Sequence, residues 1–128
     1  MKQAYPIVIT KDKDLFVVYV PDLNINTHGS DIPEAMEMAR DAIGMCGCYL
    51  QDEKRKVTAP SPIKKVKARP DDTVTLVDVD FDEYRRRHDA RTVRKNVSLP
   101  SWLNEEAERT GINFSALLQK ALKKELRV

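Results

Sequence analysis

The chain has 128 residues, enough for one ordinary domain or two small ones. A hydrophobic share of 41% is that of a folded protein and 33% charged residues suits a soluble one, while no apolar run approaches the ~20 residues a membrane span requires. The net charge of +2 conceals a division: residues 1–82 hold 11 Lys/Arg against 14 Asp/Glu, and residues 83–128 hold 11 against 6, so the two ends suit differently charged partners.

"MKQAYPIVIT" lacks the long apolar core and small-residue cleavage site of a secretory signal. Cys46 and Cys48 are too close for an ordinary disulfide and too few for a secreted framework, so a cytoplasmic location is expected. "YPIVIT" and "LFVVYV", β-branched and aromatic, flank the polar "KDKD" and predict a hairpin. "PDLNINTHGS" reads as a loop. A helix is then predicted from Asp31 to about Asp52: Asp31 and Glu34 have capping-box spacing, and Pro33 is tolerable in a first turn. Ile32, Ala35, Met36, Ala39, Ile43, Cys46 and Leu50 give it one apolar face.

Residues 57–70 hold three prolines and a basic cluster and read as an irregular connection. "TVTLVDVDF" alternates as a third strand, making the front unit β-β-α-β. The charged "DEYRRRHDA" reads as a linker with a helical turn. Arg85, Arg86 and Arg87 are either DNA-backbone contacts or simply solvated. The expected domains are thus 1–82, a linker at 83–90, and 91–128, in an α+β chain.

The last unit reads as strand 91–99, helix about 101–110 and helix about 114–126, with Gly111 closing the first helix and Asn113 capping the second. Val93, Val97 and Leu99 alternate with Arg94, Asn96 and Ser98, yet no neighbouring segment can pair with that strand. Some 40 residues with two short helices do not enclose a core alone. A symmetric homodimer, with a higher oligomer left open, pairs two copies of the strand and buries Val97, Leu99, Trp102, Leu117 and Leu118. The ribbon then shows Arg94, Asn96 and Ser98 outward. Such a ribbon fits the major groove, where Arg matches guanine and Asn adenine. Arg91 and Lys95 are placed to meet phosphates, and Asn113, Phe114 and Ser115 open a helix whose free amides suit a phosphate oxygen. The plainer alternative is a dimerisation module with a polar outer face.

Leu99-Pro100, Gly111 and Asn113-Phe114-Ser115 give residues 91–126 a resemblance to the ribbon-helix-helix DNA-binding fold. Pro21-Asp22-Leu23, Gly29 with Asp31, Glu34-Ala35, Ala42-Ile43 and the "APSP" of 59–62 resemble the signature of HicB-type antitoxins, over about residues 4–82. Where many members have Pro-Gly-Cys, this chain has Asn24-Ile25-Asn26. The resemblance implies a truncated ribonuclease H-like front domain that occludes a small basic HicA-type RNA-cleaving toxin, and a rear dimer that represses the operon by binding operator DNA. The alternative is a stand-alone ribbon-helix-helix regulator whose front domain senses a ligand.

No enzyme activity is expected. Metal-dependent cleavage needs converging carboxylates, and Asp12, Asp14, Asp22, Asp78 and Asp80 read more simply as turn or strand-surface residues. No cofactor or metal site is expected either: Cys46 and Cys48 do not share a helix face, Cys46 reads as core, and only His28 and His88 could join them. His28 is a loop hydrogen-bonding residue or a toxin contact. Gly44 and Gly47 soften the helix and allow close packing against the sheet or a partner.

Overall fold

The structure, a computed structural model, describes residues 1–89 and 92–128. It divides into two compact units, Met1–Ala90 and Arg91–Val128.

The first unit is a four-stranded antiparallel sheet with a long helix across one face. β1 (Lys2–Asp12) and β2 (Leu15–Val20) form the expected hairpin, and its turn is tighter than "KDKD" implies. Asp12 pairs with Leu15, which leaves a two-residue turn, with Lys13 at φ 57°. The stretch expected as a loop contains a further strand, β3 (Ile25–Gly29), paired antiparallel with β2 from Val20↔Ile25 to Phe16↔Gly29. A loop assignment failed here because Asn, His and Gly mask the alternation of half-buried Ile25 and Thr27 with exposed Asn26 and His28. β4 (Thr73–Asp80) pairs with β1, giving the order β3-β2-β1-β4.

α1 (Ile32–Asp52) follows the expected span. Asp31 caps it, its carboxylate accepting from the Glu34 amide at 2.8 Å. Glu34 reaches back to the Ser30 amide (3.2 Å) and hydroxyl (2.9 Å), one residue beyond the usual capping-box partner. Ala35, Ala39 and Ile43 bury against Tyr5, Ile7, Ile9, Val18, Val20, Val77 and Val79. Each large apolar side chain so enclosed contributes about 1.5–3 kcal/mol. Phe81 completes this core from α2 (Phe81–Arg87), which occupies much of the segment expected as a linker. Asp80 caps α2, accepting from the amides of Asp82 and Glu83.

The second unit contains α3 (Ser101–Arg109) and α4 (Phe114–Leu126), close to the expected spans. Gly111 stands at φ 71°, the left-handed conformation that ends a helix, and the Asn113 side chain accepts from the Ala116 amide at 3.0 Å. Residues 92–99 form no sheet ladder within the chain. A ladder requires two strands, and none is found among the described residues of this unit, so the strand expected at 91–99 is not formed over its described residues by the single chain.

Candidate functional site

The front signature residues hold the sheet, the helix and the proline-rich connection together. Pro21–Leu23 form a single 3-10 turn closed by Asn24, whose left-handed backbone lets its amide donate to the Pro21 carbonyl. Asp22 then accepts from the Ser61 amide at 2.8 Å and the Ser61 hydroxyl at 2.5 Å. Tyr5, fully buried, donates its hydroxyl to the Thr58 carbonyl at 2.6 Å. Gly29 sits so close to α1 that a Cβ there would stand 2.4 Å from the Ala35 backbone nitrogen, which explains the glycine.

Gly44 and Gly47 pack against α2 rather than against the sheet. A Cβ would meet the Tyr84 ring at 2.3 Å from Gly44 and the Phe81 ring at 2.1 Å from Gly47. The arginine cluster is committed within this unit. Arg85 pairs with Asp52 at 2.8 Å and reaches Gln51 and the Cys48 carbonyl on α1, while Arg86 and Arg87 pair with Glu83. His88 stacks on Tyr84, with ring centroids 3.9 Å apart.

The five aspartates weighed for metal binding are scattered. Asp22 holds Ser61, Asp78 accepts from Arg40, Asp80 caps α2, Asp12 ends β1 and Asp14 lies in the hairpin turn. No cluster of three or more His, Cys, Asp or Glu suited to a metal is found among the described residues. Burial pushes the thiols of Cys46 and Cys48 above their ordinary range. Cys46 is half-buried rather than core.

Two apolar surfaces lie open. On the front unit, Ile25 and Thr27 of edge strand β3 and Met38, Ala42, Met45, Cys46 and Tyr49 of α1 line a shallow groove, with Met45 and Tyr49 more than half exposed. On the rear unit the exposed face is more extreme. Trp102 is 67% exposed, Val97 63% and Leu117 54%, Leu99 and Leu118 are also exposed, and none of the unit's described residues is buried. Monomeric proteins rarely leave such continuous apolar faces to water. Arg94, Lys95, Asn96 and Ser98 are likewise exposed, as are Asn113, Phe114 and Ser115 at the start of α4; Arg91 lies outside the described residues. The sequence did not reveal β3, the Asp22–Ser61 link or the seat of α2 on α1. Only α2 left a usable signal, the capping spacing of Asp80 and Glu83.

The family model described as "HicB_like antitoxin of bacterial toxin-antitoxin system" matches residues 5–121. Among solved structures, a toxin–antitoxin complex from Streptococcus pneumoniae has a similar chain, with TM-score 0.61 and 22% identity, over 98% of this chain and 99% of that one. The antitoxin HicB of Burkholderia pseudomallei is similar with TM-score 0.55 and 24% identity, over 98% and 97%. The N-terminal domain of that antitoxin matches 61% of this chain and 99% of its own length, at 27% identity and TM-score 0.55. No curated protein matches.

Proposed function

The chain belongs to the HicB-like antitoxin family of bacterial toxin–antitoxin systems, and from that premise we propose that its front unit neutralises a HicA-type RNA-cleaving toxin while its rear unit, as a dimer, represses the operon. The observation that carries this is the family match itself, which runs through both units. The front unit is a truncated ribonuclease H-like scaffold that binds without catalysing, and its place of action is the cytoplasm. The toxin's seat is the groove of Met38, Met45 and Tyr49 beside β3, since exposed methionines adapt to a partner's shape and a tyrosine supplies contact area at low entropy cost.

The rear unit is a ribbon-helix-helix half. Its uncovered Val97, Leu99, Trp102, Leu117 and Leu118 support a second copy as the missing half of the core. Pairing the two copies of 92–99 gives both strands a ladder and turns Arg94, Asn96 and Ser98 to the major groove. The amides of Phe114 and Ser115, in the first turn of α4, are left for phosphate.

Co-expression with the small protein encoded by the adjacent gene tests the proposal. Growth is expected to recover and the two proteins to co-purify, with both effects weakened by Met45→Glu. Unrelieved growth arrest with a folded, expressed chain contradicts it.

A further inference from the structure

The connection between α1 and β4 carries a charge that the front unit does not use. Residues 53–70 hold seven Lys/Arg against one Glu, whereas the rest of residues 1–90 hold seven against fifteen Asp/Glu. Arg69 pairs with Asp72 at 3.7 Å. The other six, Lys54, Arg55, Lys56, Lys64, Lys65 and Lys67, are exposed and make no ion pair with any described residue. Of the front unit's other cations, Arg40, Arg85, Arg86 and Arg87 each have a carboxylate partner, while Lys2, Lys11 and Lys13 make no ion pair with any described residue but are not clustered in sequence with so many others. The connection is also held in place. Thr58 is tied to Tyr5, Ser61 to Asp22, Val57 packs on the core, and a 3-10 turn at Ile63–Lys65 sets two of the lysines. A tethered backbone loses less freedom when its cations meet a ligand.

We propose that this connection is a second, sequence-independent contact surface for the phosphate backbone of duplex nucleic acid. The inference rests on the reading that the rear unit binds DNA, because a surface on the same chain then meets the duplex at high effective concentration. The residue types choose among polyanions. No aromatic occurs between residues 53 and 70, so the stacking platform of single-strand binders is missing. Protein interfaces are depleted in lysine and centred on aromatics, the reverse of this segment. Lysines without aromatics suit phosphates, whose neutralisation releases counterions.

The test is binding of the full chain to a random-sequence duplex of about 40 base pairs between about 50 and 200 mM salt, where such contacts change affinity most. In Lys64→Gln/Lys65→Gln/Lys67→Gln, which removes these lysines from both copies of the dimer, the slope of log affinity against log salt should shrink by about 5, roughly 0.9 per phosphate lost. The matched Lys→Arg triple variant should keep the parental slope. An unchanged slope in the Gln variant overturns the proposal and leaves operator binding by the rear unit intact. Equal loss in the Arg variant overturns it too, since charge would not be the cause. Tighter binding to poly-aspartate or to anionic phospholipid vesicles than to the duplex assigns the surface to another partner. Failure of the unaltered chain to bind any duplex defeats the operator reading itself, and this proposal with it.

Discussion

At Gly47 the two contributions to helix stability oppose each other. Alanine there gains about 0.5–1 kcal/mol of helix propensity, but its Cβ would sit 2.1 Å from a ring carbon of Phe81, which is fully buried and cannot swing away. Overpacking of this kind costs about 1–3 kcal/mol, so Gly47→Ala is expected to lower the urea midpoint. Gly44→Ala meets the base of the Tyr84 ring, which is stacked on His88 and bonded through its hydroxyl to Asp41, so it too is expected to lower the midpoint. Asp22→Ala removes both bonds to Ser61 and should cost about 1–2 kcal/mol, with faster amide exchange across residues 58–63. Asp72 gives a pH signature. The Arg69 amide and the Thr10 hydroxyl hold its carboxyl below the ordinary aspartate range. A depressed carboxyl stabilises the fold above its unfolded pKa of about 4 and loses that contribution as pH falls through the folded value. Denaturation midpoints from pH 6 down to 3 should therefore fall less steeply in Asp72→Asn than in the parent.

At the scale of elements, the sequence was most legible where one physical signal dominated. α1 announced its start through Asp31 and Glu34, and its buried side through Ala35, Ala39 and Ile43. β4 was visible as alternation, and α3 and α4 through Gly111 and Asn113. Elements made by tertiary packing were not legible. β3 is five residues with little β-propensity, and it exists because β2 supplies the ladder and α1 closes on Gly29. α2 has too few apolar residues for a periodic signal, and Phe81, assigned to the strand, turns out to begin a helix. Gly44 and Gly47 could not be interpreted until α2 was seen lying on them. For residues 92–99 the expectation concerns a second chain, and its test is chemical. Asn96→Ala is expected to weaken operator binding by about 1–3 kcal/mol, leave random duplex binding unchanged and spare toxin neutralisation, as read by parallel gel shifts and growth rescue. Equal loss on both duplexes would remove Asn96 from base reading.

For the whole molecule, the two units have opposite needs. The front unit encloses its own core, with Tyr5, Ile7, Ile43 and Phe81 fully buried, so removing residues 91–128 should leave a cooperatively folding fragment that still binds toxin and no longer binds DNA. The rear unit has no buried residue among those described, and its stability should depend on chain concentration, as it does for obligate dimers. The proposed function requires that the rear unit be completed by a second copy of the same chain. The most direct test of that requirement is the molar mass of the full chain by light scattering at micromolar concentration. Twice the chain mass or a higher even multiple is expected, and a chain that stays single at that concentration contradicts the dimer.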